Sequence, residues 1–243
     1  MEPVISVKDV SMMFNLSRDK VMGLKEYVVK ALSRQLFYDE FWALKDISFD
    51  VMQGEILGIM GLNGAGKSTL LKLITGVFKP TKGSITVNGS IAPLLELGTG
   101  FDYEFSAKEN VYMNGAMFGR SPAYMDNVYK GIMDFAELWE FENVPLKNYS
   151  TGMGARLGFA VATNVEADIL IFDEVLGVGD FKFQKKCKDR IKELLFGGAT
   201  VLLVSHDTNT IKNICTDALI LSGGELVCQG DVESVCKAYL GEL

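Results

Sequence analysis

The stretch Glu55–Thr69, EILGIMGLNGAGKST, gives the strongest indication of the fold of this chain. Its first part is short and apolar, which is typical of a buried strand, and Lys67–Thr75 has the pattern of a helix. Between them, Gly61–Thr69 matches G-x-x-x-x-G-K-[ST]. A glycine-rich loop in this position wraps a polyphosphate, because its backbone N–H groups and the helix N-terminus point at the anion. We therefore predict a nucleotide phosphate-binding loop.

Two side chains of this loop have distinct predicted roles. The ammonium group of Lys67 would neutralise charge on the β- and γ-phosphates, and the hydroxyl of Ser68 is a hard oxygen ligand for Mg²⁺. The residues that we expect to contact the nucleotide here are Gly61, Asn63, Gly64, Ala65, Gly66, Lys67, Ser68 and Thr69.

A second motif is acidic and indicates which groups would bind the metal ion and activate water. ILIFDE places Asp173 and Glu174 at the end of an apolar strand. We expect Asp173 to hold Mg²⁺, through water, and Glu174 to orient or deprotonate an attacking water. His206, the chain's one histidine, ends the next strand, TVLLVSHD. It is either structural or a hydrogen-bond donor to the γ-phosphate.

The bulk properties exclude several classes of protein. The chain has 243 residues, 48% of them hydrophobic, and a net charge of −7, which argues against binding to a nucleic acid. Its four cysteines lack CxxC spacing and have one histidine as a possible co-ligand, so we expect reduced thiols and no zinc site. The opening MEPVISVKDV lacks a basic region followed by an apolar run, so we expect no signal peptide, and no apolar stretch in the sequence is long enough to span a bilayer. Work at a membrane would therefore need a partner.

The remaining patterns predict an α/β fold. VISVKDVSMMF and FYDEFWALKDISFDV read as strands, and DILIFDE and ATVLLVSHD as buried strands of a parallel sheet. Residues 106–162 are mostly helical, interrupted at Ser121–Pro122 and Pro145. We predict a hairpin over Gly83–Leu95 with its turn at Asn88–Gly89. Val21–Phe37 reads as an amphipathic helix, either packed on the fold or facing a membrane or membrane subunit through its lysines.

A conspicuous glycine pair lies near the C-terminus, in Leu221–Glu225, LSGGE. Glycines in this setting fit either a phosphate-binding loop or a tight turn. The flanking segments DALIL and ELVCQG are short strands, so we interpret this stretch as a hairpin turn.

Taken together, these motifs resemble the ATP-binding cassette (ABC) ATPases, the nucleotide-binding subunits of membrane transporters, along nearly the whole chain. The family's signature loop, usually LSGGQ, precedes the acidic motif, so LSGGE is in the wrong place and YSTGM, Tyr149–Met153, matches instead. YSTGM is similar to the YSSGM form of polysaccharide exporters for O-antigen, capsule and teichoic acid. LLELGTGF, Leu94–Phe101, and EFWALKDISF also resemble that group.

This resemblance implies a P-loop NTPase core with a mainly parallel sheet, an antiparallel β subdomain and an inserted α-helical subdomain. It implies one domain over residues 1–243. Its parts are residues 1–96 and 163–225 for the core with the β subdomain, 97–162 for the helical subdomain and 226–243 for a short C-terminal extension, with no carbohydrate-binding domain.

The resemblance also assigns further site residues. Ser150 and Gly152 would grip the γ-phosphate bound to another subunit, although Ser150 also fits a plain helix N-cap. Asp180 would lie at the dimer seam, and Glu96 replaces the usual glutamine as a possible Mg²⁺ ligand. An aromatic residue would stack on adenine; Tyr38 has the right spacing, with Phe37, Phe41 and Trp42 as alternatives.

The expected protein is thus a homodimeric, Mg²⁺-dependent ATP hydrolase at the cytoplasmic face of a prokaryotic membrane, held there by permease subunits of an ABC-2-type exporter. The expected cargo is a lipid-linked cell-surface polysaccharide. The alternatives are an ABC transporter subunit for another cargo, such as a lipid or drug, a non-transport ABC ATPase, and a phosphoryl-transferring kinase. A GTPase is disfavoured because the sequence lacks an NKxD-type guanine reader.

Overall fold

The structure is a computed structural model of the chain, and it describes residues 2–17, 38–94, 98, 100–164, 167–173 and 180–241. The predicted Val21–Phe37 helix, Glu96 and Glu174 lie outside these ranges, as do the side chains of Tyr38 and Asp173.

Six of the described strands form the central sheet. In chain order they are β3 (Ile56–Met60), β5 (Ile91–Leu94), β6 (Ile169–Asp173), β7 (Thr200–Val204), β8 (Asp217–Ser222) and β9 (Glu225–Asp231). Their spatial order is β5-β6-β7-β3-β8-β9. All neighbours are parallel except β8 and β9, which form the hairpin predicted around LSGGE. The parallel strands predicted from ILIFDE and TVLLVSHD are confirmed.

Three strands form a separate antiparallel sheet. They are β1 (Ile5–Ser17), β2 (Tyr38–Val51) and β4 (Lys82–Val87), in the order β2-β1-β4. Ile5, Ile47 and Val51 are fully buried and share one hydrophobic cluster with Leu57 and Ile59 of the central sheet. The two sheets therefore pack through a common core.

The predicted hairpin over Gly83–Leu95 is wrong. β4 pairs with β1 in the antiparallel sheet, whereas β5 pairs in parallel with β6 in the central sheet. The Asn88–Gly89 segment carries the chain from one sheet to the other. The carboxylate of Asp168 holds this crossover, because it accepts hydrogen bonds from the backbone N–H and the hydroxyl of Ser90, both at 2.7 Å.

Seven α-helices are described. They are α1 (Lys67–Ile74), α2 (Ala107–Met117), α3 (Pro122–Ala136), α4 (Thr151–Asn164), α5 (Phe181–Phe196), α6 (Thr208–Ile214) and α7 (Val232–Leu240). Short 3₁₀ turns cover Trp139–Phe141 and Leu146–Asn148. The helical reading of residues 106–162 is confirmed, and its breaks lie at the predicted prolines.

Side chains in the sequence explain most of the helix starts. Each satisfies backbone N–H groups of the first turn, which have no partner within the helix. These N-capping residues are Ser106, Ser121, Asp180, Asp207 and Asp231. Ser106 forms a full capping box with Glu109, as its spacing favours.

The helices α2, α3 and α4 form their own hydrophobic cluster. Its buried members include Val111, Met125, Ile132, Leu157 and Val161. α1 instead packs on the two sheets through Leu70 and Leu71. The chain thus has a sheet-based part and a helical part, which meet through apolar contacts, because Phe159 of α4 is buried in one cluster with Phe172 of β6 and Phe183 of α5.

The crossover at Ser90 gives a first testable prediction. Replacing Asp168 with Ala removes both hydrogen bonds to Ser90 and should lower the free energy of unfolding by about 1 kcal/mol, measured by urea denaturation at pH 7. The control is Asp189→Ala, which removes an exposed carboxylate in the middle of α5.

The pH dependence follows from the same bonds. The Ser90 backbone and hydroxyl donors hold the pKa of Asp168 below its ordinary value of 3.8. A lowered carboxyl pKa stabilises the fold above that value, and the effect disappears as pH falls through the folded-state pKa. The difference between wild type and Asp168→Ala should stay constant between pH 8 and pH 5, and a difference that vanished in this range would contradict the assignment.

Candidate nucleotide-binding site

The strands align the candidate site at one edge of the central sheet. In the parallel register, Ile59 of β3 pairs with Val204 of β7, which in turn pairs with Asp173 of β6. The carboxyl ends of these three strands are therefore level. Ligands of open parallel sheets bind at this edge, and the predicted loop, acidic motif and histidine all follow it.

The phosphate loop runs from the end of β3 into α1. α1 begins at Lys67, as the sequence predicted, and its first turn contains no acidic residue. Asn63, Gly64 and Ser68 are exposed, whereas Ala65 is buried. Gly64 has a φ of +82°, and nothing lies within 4 Å of the position that a Cβ would take. The outer side of the loop is thus open, and the positive end of the α1 dipole faces it.

The ammonium group of Lys67 lies against the loop itself. Its Nζ donates hydrogen bonds to the carbonyl oxygens of Gly61, at 2.7 Å, and Leu62, at 3.1 Å. These bonds place a positive charge beside the exposed amides of the loop. The geometry suits a polyphosphate, because cation, amide donors and helix N-terminus converge on one region.

His206 lies two residues beyond the end of β7. Its neighbours fix the backbone there: the amide of Ser205 is 3.4 Å from the carbonyl oxygen of Ile59, and Asp207 caps α6 through the amides of Asn209 and Thr210. The Thr210 hydroxyl, with these amides, holds the pKa of Asp207 below its ordinary value. His206 itself is exposed. It therefore lies beside the phosphate-loop strand with its side chain accessible.

The structure places part of the acidic motif. The backbone of Asp173 ends β6 at the same edge as the phosphate loop. The structure does not describe the side chain of Asp173, nor Glu174 and Glu96. For Tyr38 it describes the backbone, which begins β2, but not the side chain. Their roles stay predictions. Of the alternatives to Tyr38, Phe41 is 49% exposed. The ring of Trp42 is covered by the Lys82 ammonium group, whose nitrogen lies 5.1 Å from the ring centroid.

The predicted signature loop lies on the helical part. Ser150 is exposed and precedes α4, and its hydroxyl accepts a hydrogen bond from the amide of Met153 at 3.2 Å. The N-cap reading is therefore confirmed. Gly152 lies in the first turn of α4. Tyr149 anchors the loop through a hydrogen bond from its hydroxyl to the Phe141 carbonyl oxygen, and burial raises its pKa to about 12.

Asp180 connects the helical part to the core. Its carboxylate accepts from the amide of Phe183 at 2.9 Å, which caps α5, and also from the guanidinium of Arg156 on α4. The Phe183 amide, and then Arg156, hold the pKa of Asp180 below its ordinary value. The Arg156 guanidinium also stacks over the Phe183 ring, 4.8 Å from its centroid.

Sequence reasoning missed Arg156. It lies six residues after Ser150 and is the one charged residue in the sequence of α4, TGMGARLGFAVATN. Its side chain is 22% exposed and also approaches Glu137, which Lys186 of α5 contacts at 3.2 Å. The lone charge on an otherwise apolar and small-residue helix was a usable signal, because such a charge needs a partner.

Comparison with known proteins assigns the family. Residues 44–177 match the model of the ABC transporter family. The chain is 44% identical to ABC transporter protein AbcA of Aeromonas salmonicida, over 98% of this chain and 76% of that protein. It is 42% identical to the O-antigen export system ATP-binding protein RfbB of Klebsiella pneumoniae, over 98% of both. It is 36% identical to the teichoic acids export ATP-binding protein TagH of Listeria monocytogenes serotype 4b, over 97% of this chain and 69% of that protein.

Solved structures agree with the fold. The ATP-binding subunit of an ABC transporter has a TM-score of 0.75 at 23% identity, with 98% of this chain and 93% of that chain covered. A dimeric bacterial ABC transporter cassette has a TM-score of 0.71 at 24% identity, with 94% and 98% covered. The predicted ABC ATPase fold is confirmed. Together with the motifs and the parallel edge that gathers them, these matches show that the chain belongs to the ABC transporter family of ATPases, which hydrolyse ATP to drive transport.

Proposed function

We propose that this ATPase powers the export of a lipid-linked cell-surface polysaccharide, of the O-antigen, capsule or teichoic acid type, across the cytoplasmic membrane. The observation that carries the proposal is the 42% identity to an O-antigen export ATP-binding protein over 98% of both chains. The signature form YSTGM and the segment LLELGTGF support it, because both resemble this export group. Transport of another cargo, such as a lipid or drug, is the alternative.

The exposed loop and α1 bind the triphosphate of ATP. The loop amides and Lys67 stabilise the negative charge of the phosphates, and this charge is redistributed as the terminal phosphoryl group is transferred to water. Ser68 and Asp173 supply hard oxygen atoms, the ligand type that Mg²⁺ prefers, and bound Mg²⁺ would neutralise phosphate charge. Glu96 is a further candidate ligand.

Two groups beyond the loop act on the water and the phosphoryl group. Glu174 directly follows β6 in the chain, and the end of β6 is level with the end of β3. From there Glu174 orients or deprotonates the attacking water. His206 is exposed at the end of β7, between those two strands, and donates a hydrogen bond to the γ-phosphate. An aromatic side chain at the start of β2, Tyr38 by its spacing, stacks on adenine.

The active enzyme is a head-to-tail homodimer. The chain has one phosphate loop, on the sheet-based part, and one signature loop, on the helical part, where α2, α3 and α4 form a hydrophobic cluster of their own. Ser150 and Gly152 of one copy contact the γ-phosphate held by Lys67 of the other. The same arrangement places Asp180 at the seam. ATP favours the closed dimer because it contacts both copies, and hydrolysis removes that advantage.

A membrane partner completes the transporter. Among the described helices, none combines the length and hydrophobicity needed to cross a bilayer. Permease subunits of an ABC-2-type exporter would hold the ATPase peripherally at the cytoplasmic face of a prokaryotic membrane. The helical subdomain, assigned to residues 97–162 from the sequence, would face them.

Exposed aromatic residues on the helical part provide a contact surface for the permease. Tyr103 is 62% exposed and Phe105 is 42% exposed. Their carbonyl oxygens accept hydrogen bonds from the amides of Lys147 and Leu146, each at 2.9 Å. Because Leu146–Asn148 leads directly into Ser150, a displacement of the aromatic segment would reach the signature loop through two backbone hydrogen bonds.

The cargo is tested by the composition of the native complex. Purification of the tagged ATPase from mild detergent extracts of its own cells should recover an integral-membrane permease together with a lipid-linked glycan, identified by mass spectrometry. Recovery of a permease that carries phospholipids or drugs and no glycan would favour the alternative cargo.

The shared site is tested by a catalytic variant. Glu174→Gln keeps the size of the side chain but removes the base, so ATP should bind without turnover and trap the dimer. Light scattering should show a mass near twice the 26.7 kDa of the chain with ATP, and a monomer without it. Lys67→Ala is the control, and it should neither bind ATP nor dimerise. A Glu174→Gln protein that binds ATP normally and stays monomeric would contradict the head-to-tail scheme.

The seam residue gives a further prediction. Asp180→Asn keeps an oxygen that can accept from the Phe183 amide, but it loses the charge that pairs with Arg156. We expect kcat to fall about tenfold, because without the pair the residue at the proposed seam can shift relative to the site. KM for ATP and the melting temperature should change little, since the phosphate loop and the cap remain and a partly exposed ion pair adds about 0–1 kcal/mol to stability. An unchanged kcat in steady-state ATPase assays would show that the Arg156–Asp180 pair does not position the seam.

A further inference from the structure

The LSGGE stretch lies directly against the phosphate loop. β8 ends at Ser222 and β9 begins at Glu225, so Gly223 and Gly224 form the turn, with φ values of +57° and +82°. The amide of Gly224 donates to the carbonyl oxygen of Ala65 at 3.2 Å. A turn more than 150 residues away in the sequence is therefore bonded to the phosphate loop.

The strand before this turn meets the other end of the loop. A Cβ added to Gly61 would overlap the carbonyl oxygen of Leu221 and lie 3.3 Å from its carbonyl carbon. Gly61 is buried and has a φ of +147°. The backbone of Leu221–Gly224 thus touches the phosphate loop near its start, at Gly61, and near its end, at Ala65.

The opposite side of the turn is bonded to β2. The carbonyl oxygen of Gly224 accepts from the amide of Lys45 at 2.8 Å, and the Lys45 ammonium contacts the Glu225 carboxylate at 3.0 Å. A Cβ on Gly224 would lie 2.7 Å from the Ala43 carbonyl oxygen and 3.1 Å from its carbonyl carbon. These neighbours are backbone atoms, which cannot rotate away as a side chain does. A side chain at residue 224 would therefore push apart the turn and β2.

These contacts bear on nucleotide binding, because backbone donors act through their direction and position. A loop that presents amides to phosphates loses much of its advantage when it shifts by a fraction of an ångström. The turn meets the loop at Gly61 and Ala65, which are buried, whereas Gly64 of the same loop is open to solvent.

We propose that Gly224 is a positioning residue for the ATPase reaction, which fixes the phosphate loop against β2 through its own backbone N–H and C=O. The inference rests on the proposed role of Gly61–Thr69 in holding the triphosphate. It assigns LSGGE a function different from that of a signature loop: it supports the phosphate site of its own subunit from behind.

The neighbouring glycine provides a matched control. Gly223 and Gly224 both have positive φ, so alanine strains the backbone at either position. Nothing lies within 4 Å of a Cβ at Gly223, whereas a Cβ at Gly224 meets backbone. We expect Gly224→Ala to raise the KM for ATP and the Kd of a fluorescent ATP analogue about tenfold or more, and Gly223→Ala to change both less than about twofold.

The two variants also separate positioning from stability. Thermal unfolding should show a lower melting temperature for both, and affinities are measured on the folded fraction well below it. Equal affinities for Gly224→Ala and Gly223→Ala would overturn the proposal. Lys67→Ala serves as the reference variant. If both Lys67→Ala and Gly224→Ala bind ATP normally, the proposed phosphate site is wrong. If Lys67→Ala loses ATP affinity and Gly224→Ala does not, only the role of Gly224 is rejected.

A measurement on the wild type covers the case in which Gly224→Ala does not fold. Hydrogen exchange is followed at the amides of Gly224 and Lys45, with and without a non-hydrolysable ATP analogue. If the turn and the loop are coupled, the analogue should slow exchange at both amides and leave the distant amide of Thr216, bonded to Ile56, unchanged. Unchanged exchange at Gly224 would overturn the proposal.

Discussion

The candidate site depends on the parallel register of β6, β7 and β3. Val204 of β7 lies between Ile59 and Asp173, so the three strands end together. A shift of one residue in either pairing would reverse the direction of every side chain along that strand and move the following loop by about 3.3 Å. Buried apolar residues on both faces of the sheet make such a shift costly. The hydrophobic core therefore also sets the distances between the strand ends from which the predicted nucleotide-binding groups follow.

Two hydrophobic clusters, one packed around the phosphate loop and one on the helical part that carries the signature loop, suit the proposal that one chain contributes to two sites. The phosphate loop is fixed to the sheets through Leu70 and Leu71, whereas the signature loop is fixed to α2 and α3 through α4. Apolar and charged contacts both join the two parts. Phe159 of α4 is buried in one cluster with Phe172 and Phe183, and the ion pairs Arg156–Asp180 and Lys186–Glu137 lie nearby. Because partly exposed ion pairs hold more weakly than buried apolar contacts, the position of the helical part depends mainly on Phe159 and its neighbours.

The sequence predicted those features whose causes are local. The phosphate loop, the β8–β9 hairpin and the breaks at Pro122 and Pro145 follow from residues within a few positions of each other. The crossover at Asn88–Gly89 does not follow from nearby residues. The path of the chain there depends on hydrogen bonds between Ser90 and Asp168, which lie 78 positions apart in the sequence, and on which sheet offers an unpaired edge strand. An Asn-Gly pair between two apolar segments favours a hairpin only when both segments join the same sheet. The lone charge of Arg156 indicated that this residue needs a partner, but the sequence does not identify Asp180 as that partner, because the two residues lie 24 positions apart with β6 between them.

The two glycine-containing motifs show why position in the fold outweighs similarity of letters. LSGGE differs by one residue from the usual signature, yet it joins two antiparallel strands and has both glycines at positive φ. YSTGM departs further from that signature, yet Ser150 caps α4 and is exposed on the helical part. LSGGE needs glycine, because a tight hairpin requires positive φ and the turn contacts backbone on two sides. YSTGM needs serine, because the Ser150 hydroxyl accepts a hydrogen bond from a helix amide while the residue stays exposed to solvent. In our proposals both stretches serve phosphate binding in different ways, one behind the loop of its own subunit and one presented to a neighbour, and the difference comes from where the strands and helices place them.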